Sequence, residues 1–217
     1  MGQIQEPKPV LPILAAFSQS LEALTWAKQT ASEAWGPIVL ESEPFEFVET
    51  DYYEPSMGPG LKKQFFAFEN LLDPGELPAI KRQTNEWEAV YAKMEEDRAR
   101  QGGQTPDGTA TSNQEDDKGQ QIERPLNLDP GYITEAKLVL ASTKDHAHRI
   151  YLSEGIYAEV TLHYQGREWR HRDWTFPDYR REDYQVFFTT CRNELRRQGR
   201  EGQRSRESRR SREGGSA

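Results

Sequence analysis

The chain has 217 residues, with 28 Lys plus Arg against 36 Asp plus Glu, a net charge of −8 and a hydrophobic share of 35%. Its apolar runs fall short of the ~20 residues of a membrane span, its one cysteine, Cys191, excludes a disulfide scaffold, and its negative charge argues against binding nucleic acid through bulk charge. So low an apolar share predicts one folded core diluted by polar segments that cannot repay their ordering entropy.

Residues 10–17 (VLPILAAF) read as a first strand; Pro12 and the lack of a clear cleavage site set the stretch apart from a secretory signal. A first helix is expected over about 20–35, where Leu21, Leu24, Ala27, Ala31 and Ala34 share a stripe and Gly36-Pro37 ends it. Strand two covers 38–48, a tyrosine-rich loop covers 50–61, and the Phe-rich strand three covers 62–68. Asp73, Pro74 and Glu76 then spell a helix start as N-cap, first helical residue and capping box. Leu77, Ile80, Thr84, Trp87, Tyr91 and Met94 follow at helical spacing. Residues 99–121 hold no aromatic residue and no apolar period, so a disordered insert is expected there, followed by strand four at about 122–126.

The second half opens on Asp129-Pro130-Gly131, which suits a type II turn. Residues 132–141 follow as a strand or short helix. A three-stranded meander is expected over about 145–152, 156–164 and 167–174, joined by Ser153-Glu154-Gly155 and Gln165-Gly166. A last helix over about 180–197 carries Tyr184, Phe187, Phe188, Cys191 and Leu195 on one stripe. From Arg192 onward nine Arg and four Glu give +5, which leaves −13 for the rest of the chain. The layout is α+β: a ferredoxin-like βαββαβ half, then an antiparallel β-meander and a C-terminal helix. It predicts a single domain over 1–198, with the insert inside it, and a disordered Arg-rich tail over 199–217.

The stretch ERPLNLDPGYITEAKLVLASTKDHAHRIYLSEGIYAEVTLHYQ, from Glu123 to Gln165, resembles the bacterial and archaeal family catalogued as domain of unknown function 4416. So do TDYYEPSMGPGL from Thr50 and WTFPDYR from Trp174. The family pattern usually has an acidic residue before the Met-Gly of the tyrosine loop, where this chain has Ser56. The resemblance implies a fold and brings no activity, cofactor or catalytic residue with it.

The meander is where side chains can be placed by counting. If Ser153-Glu154-Gly155 is a three-residue loop, Arg149 stands opposite Glu159 and Asp145 opposite His163. If Gln165-Gly166 is a two-residue turn, Glu159 meets Arg172 and His163 meets Glu168 on the other side. Alternation puts these groups on one face, with Ile150, Leu152, Ile156, Ala158, Val160 and Leu162 on the core face and His146 and His148 with them. Two arginines flanking a carboxylate suit a phosphate or carboxylate ligand. Asp145, His163 and Glu168 suit a divalent metal or a proton shuttle. Read instead as structure, the same face is a row of cross-strand ion pairs.

Lys144, within Ser142-Thr143-Lys144, is a second candidate phosphate contact, and Tyr52 and Tyr53 are candidates for stacking on a base or sugar. Asp129 and Asp178 read as turn and helix-cap residues, and Cys191 as core. No P-loop, paired cysteines or HExxH occurs, so neither a cofactor nor a metal is named. The resulting expectation is a small cytoplasmic enzyme or ligand-binding protein for a phosphorylated or nucleotide-like metabolite. His163, Glu159 and Asp145 would be its catalytic groups, and Lys144, Arg149, Arg172, Tyr52 and Tyr53 its ligand contacts. The alternatives are a non-catalytic protein-interaction module and, more weakly, RNA binding through the basic tail. The first class requires those groups to converge on one concave pocket.

Overall fold

A strand buried at every position must lie inside a sheet covered on both faces, and β1 (Leu11–Ser18) is such a strand. The computed structural model describes residues 2–102 and 122–213. After β1 come α1 (Leu21–Trp35), β2 (Ile38–Glu41), β3 (Phe45–Glu46), the short α2 (Glu54–Met57), β4 (Lys62–Phe68) and α3 (Leu77–Gly102). The second half holds β5 (Asn127–Ile133), β6 (Lys137–Ser142), β7 (Ile150–Ser153), β8 (Ile156–Gln165), β9 (Glu168–His171) and α4 (Glu182–Glu213). The strands form one antiparallel sheet in the order β2-β4-β1-β5-β6-β8-β7, with β3 on β4 and β9 on β8. The fold is therefore α+β. No described helix is long and apolar enough to cross a membrane.

Period two along the strands divides the core. Leu14, Ala16, Phe66 and Phe68 pack against Ala23, Leu24, Ala27 and Ala31 of α1 and Tyr91 of α3. Leu11, Ile13, Ala15, Phe65 and Ala67 pack on the other face against Tyr184, Phe187, Phe188, Cys191 and Leu195 of α4. Both early helices start close to where the sequence places them, and the start of α3 carries the cap its sequence spells. Ser20 accepts from the Ala23 N–H, and Asp73 and Glu76 form a capping box on the 3-10 turn leading into α3.

Several boundaries move. Strand two is split into β2 and β3, and α3 carries the chain helically through Gly102, four residues into the expected insert; residues 103–121 lie outside the described residues. α4 continues through Glu213, so residues 199–213, expected to be disordered, prolong this helix. Arg197 bonds Glu194 at 2.6 Å and Glu201 at 2.7 Å, the i,i+3 and i,i+4 pairs that support an exposed helix.

The expected turn at Asp129-Pro130-Gly131 is instead the middle of β5. Leu128 explains how a strand tolerates this proline. Its N–H donates to Glu88 Oε1 and its carbonyl accepts from Lys81 Nζ, both at 2.7 Å and both from α3. The even residues of β5 therefore turn their backbone groups away from β1, toward β6. Pairing with β6 covers only Gly131↔Leu140 to Ile133↔Leu138, so Pro130 has no ladder bond to lose there. Gly131 stands where β6 first closes in. A Cβ at this position would lie 2.2 Å from the Val139 carbonyl oxygen and 2.8 Å from Leu140 Cδ2. Gly131→Ala is expected to lower stability by about 1–3 kcal/mol, read as a lower urea midpoint at unchanged slope. An unmoved midpoint would show that β6 yields freely at this point.

Candidate functional site

The parting of β5 from β6 opens the sheet. Asn127 and Asp129 on one lip and Leu140, Ala141 and Ser142 on the other line a cavity of about 260 Å³. This is slightly below the ~300–1,000 Å³ of pockets for drug-sized ligands. Phe47, Thr50, Tyr52 and Tyr53 come from the segment before β4, Lys63 from β4, Lys81 and Asn85 from α3, and Phe176, Pro177, Asp178 and Tyr179 from the turn before α4. Thr143, Lys144, His146, Arg149, Arg124 and Glu159 complete it.

Glu159 reaches this face through a β-bulge. Leu138 pairs with Leu162 but Val139 pairs with Val160, so Thr161 is an extra residue in β8. The bulge puts Glu159 and Leu162 on the same face and His163 on the other. Glu159 is 2% exposed. Its Oε2 accepts from Arg149 Nε at 3.0 Å and lies 3.1 Å from His148 Nε2, and Thr161 Oγ1 lies 3.3 Å from its Oε1. The Arg149 guanidinium also donates to Ser142 Oγ at 2.7 Å.

At the other end of the cavity Lys63 and Asp178 form a buried ion pair, with Lys63 Nζ 4.9, 5.2 and 5.3 Å from the ring centroids of Tyr179, Phe17 and Phe47. Lys81 Nζ lies 3.8 Å from Asp129 Oδ1. Burial, then the nearby Asp129 and Asp178 carboxylates, raise the pKa of Tyr53 and Tyr179, so both phenols stay protonated. Among the described residues the Tyr179 hydroxyl has no hydrogen-bond partner.

Five of the eight expected site residues line this cavity: Tyr52, Tyr53, Lys144, Arg149 and Glu159. Asp145, His163 and Arg172 do not. The first hairpin turns on two residues, Glu154 and Gly155, with φ of 53° and 76°. A bulge at Leu152 restores the expected register, Ile150↔Ala158, which is why Arg149 still meets Glu159. β7 is short, however, so Asp145 lies in a loop and not opposite His163. The second turn is Gly166-Arg167, which slides the partners so that His163 faces Arg170, and Arg172 falls beyond β9. Asp145, His163 and Glu168 are therefore not a metal or proton-transfer cluster, and among the described residues no three His, Cys, Asp or Glu side chains form one. His148, expected in the core, takes the place beside Glu159 that Arg172 was to have. Ile150, Leu152 and Val160, also expected in the core, are exposed; Ile150 and Leu152 belong to β7, the edge strand of the sheet. Asp129 and Asp178 are cavity residues rather than turn and cap residues. One signal for Lys63 was present: in KKQFFAF it shares parity with Phe65 and Ala67, so it must face inward.

A model of the family described as Domain of unknown function (DUF4416) matches residues 8–101 and 108–195. Comparison with curated proteins and with solved structures gives no match.

Proposed function

The chain thus belongs to that family, whose description carries no activity, and we propose that its cavity binds a phosphorylated small molecule. One observation carries this reading. Lys63, Lys81, Arg124, Lys144 and Arg149 outnumber Asp129, Asp178 and Glu159 in the lining, so a chain of net charge −8 encloses a cavity of net positive charge. Lys144 is the cation best placed to serve a ligand. It is exposed, it forms no ion pair among the described residues, and its Nζ lies 5.9 Å from the centroid of the Tyr52 ring. Arg149 beside it is held rigid by Glu159 and Ser142, which suits bidentate contact with a phosphoryl group. Glu159, with His148 on its carboxylate, is the group we assign to acid–base work if the ligand is also a substrate.

The strand order β2-β4-β1-β5, with α1 and α3 on one face, supports a ferredoxin-like reading of the first half. The buried free thiol of Cys191 suits a reducing compartment and supports a cytoplasmic location. A second reading rests on α4, which runs beyond the family match at residue 195 as an Arg-rich helix. It makes this extension a docking element for an acidic protein or RNA. Its mark would be binding that falls steeply with salt.

A thermal-shift panel of sugar phosphates, nucleotides and divalent metals tests the first reading. A ligand at ~100 times its Kd adds about 2.7 kcal/mol, which for a chain of this length raises Tm by roughly 5–11 °C. Lys144→Ala is expected to leave the unliganded Tm within about 1–2 °C of its starting value, since exposed substitutions change stability by ~0.5 kcal/mol or less. The same variant is expected to remove most of the ligand shift. A flat response across the panel would favour the docking reading.

A further inference from the structure

Three rings stand in a nearly parallel column beside the cavity. His146 and His148 have centroids 5.8 Å apart and planes 17° apart. His148 and Trp174 are 5.6 Å and 11° apart. The column is anchored at its middle, where His148 Nε2 meets Glu159, a carboxylate held in turn by Arg149. His146 is the end member on the cavity side. It is exposed, it lines the cavity, and His148 covers only one of its faces.

An anchored column with a free end is a stacking platform. Planar heterocycles gain from such a face whatever their hydrogen-bonding edge, whereas a saturated sugar ring has no π-face to offer. The candidate phosphate contacts lie close by: Thr143 and Lys144 precede His146 by three and two residues and line the same cavity. We infer that the phosphorylated ligand is a nucleotide, with its base continuing the column on the free face of His146 and its phosphate at Lys144 and Thr143. This inference rests on the anion-site reading above and adds the base to it. It also gives the Glu159–His148 contact a second purpose, since that contact fixes the plane on which the base would lie.

Titration calorimetry on the full chain separates the two readings, with orthophosphate, ribose 5-phosphate and the 5′-monophosphates of adenosine, guanosine, cytidine and uridine as probes. At least one nucleotide is expected to bind about tenfold tighter than ribose 5-phosphate, the size of one stacked base. His146→Ala should bring that nucleotide down to the level of ribose 5-phosphate and leave ribose 5-phosphate itself unchanged. His146→Phe, which keeps a flat ring without imidazole nitrogens, should retain the preference. Equal affinity for ribose 5-phosphate and every nucleotide, or a preference that survives His146→Ala, overturns the stacked base and leaves the anion site standing. Binding of none of the probes overturns both.

Discussion

Glu159→Ala lowers the stability of the chain by about 3–5 kcal/mol, the cost of stranding a buried charge. The Arg149 side chain is 5% exposed and would keep its full charge with its carboxylate partner gone. His148 would lose the same partner. At ~2–4 °C per kcal/mol, Tm falls by roughly 6–20 °C. The double variant Arg149→Met with Glu159→Leu removes both charges, and replacing a buried pair by apolar groups of similar size is often neutral or stabilising. Its Tm should return close to the starting value while the ligand-induced shift stays lost. That combination would separate the contribution of the pair to folding from its contribution to binding. If Glu159→Ala alone left Tm unchanged, water would be reaching the Arg149 guanidinium, and the cavity wall described here would be wrong at this point.

Asp178→Ala is expected to cost a similar ~3–5 kcal/mol, for the same reason at the other end of the cavity. Lys63 is 5% exposed and Asp178 3% exposed, and the Lys63 ammonium is otherwise surrounded by the rings of Phe17, Phe47 and Tyr179. Those rings attract a cation through their quadrupoles, but each such contact is worth only ~0.5–2 kcal/mol and does not replace a carboxylate. Adding Lys63→Met to Asp178→Ala should recover most of the loss in a urea titration. Absence of recovery would mean that Asp178 acts mainly by holding the turn before α4, and that its contact with Lys63 is incidental.

Local patterning carried much of the fold. The apolar run of β1, the Phe-rich β4, the cap of α3 and the stripe of α4 are all readable in the chain, because each depends on residues within a turn or two of one another. Part of the cavity was also readable. Arg149 and Glu159 lie across one hairpin, and a bulge at Leu152 replaced the expected third loop residue without changing the register beyond it. The second hairpin fared worse. Gly166 and Arg167 both take the left-handed conformation, at φ of 63° and 71°. The first of these is glycine and the second is not, so the turn residues could not be identified from glycine content alone.

The sequence by itself determined the α+β order of elements, the buried stripe of α4 and the family; on α1 the expected Leu21 and Ala34 are exposed and Ala23 is buried instead. It also determined that Tyr52, Tyr53, Lys144, Arg149 and Glu159 were worth placing together, which the cavity then did. Only the tertiary structure decided that Thr161 bulges, that Pro130 sits inside a strand, and that Lys63 meets Asp178 across 115 residues of chain. The physical reason is the same in each case. Whether a strand tolerates an extra residue or a proline depends on what its neighbour offers at that point, and a buried lysine is stable only where a distant carboxylate arrives to meet it. Such conditions belong to pairs of segments, and no stretch of chain read alone contains them.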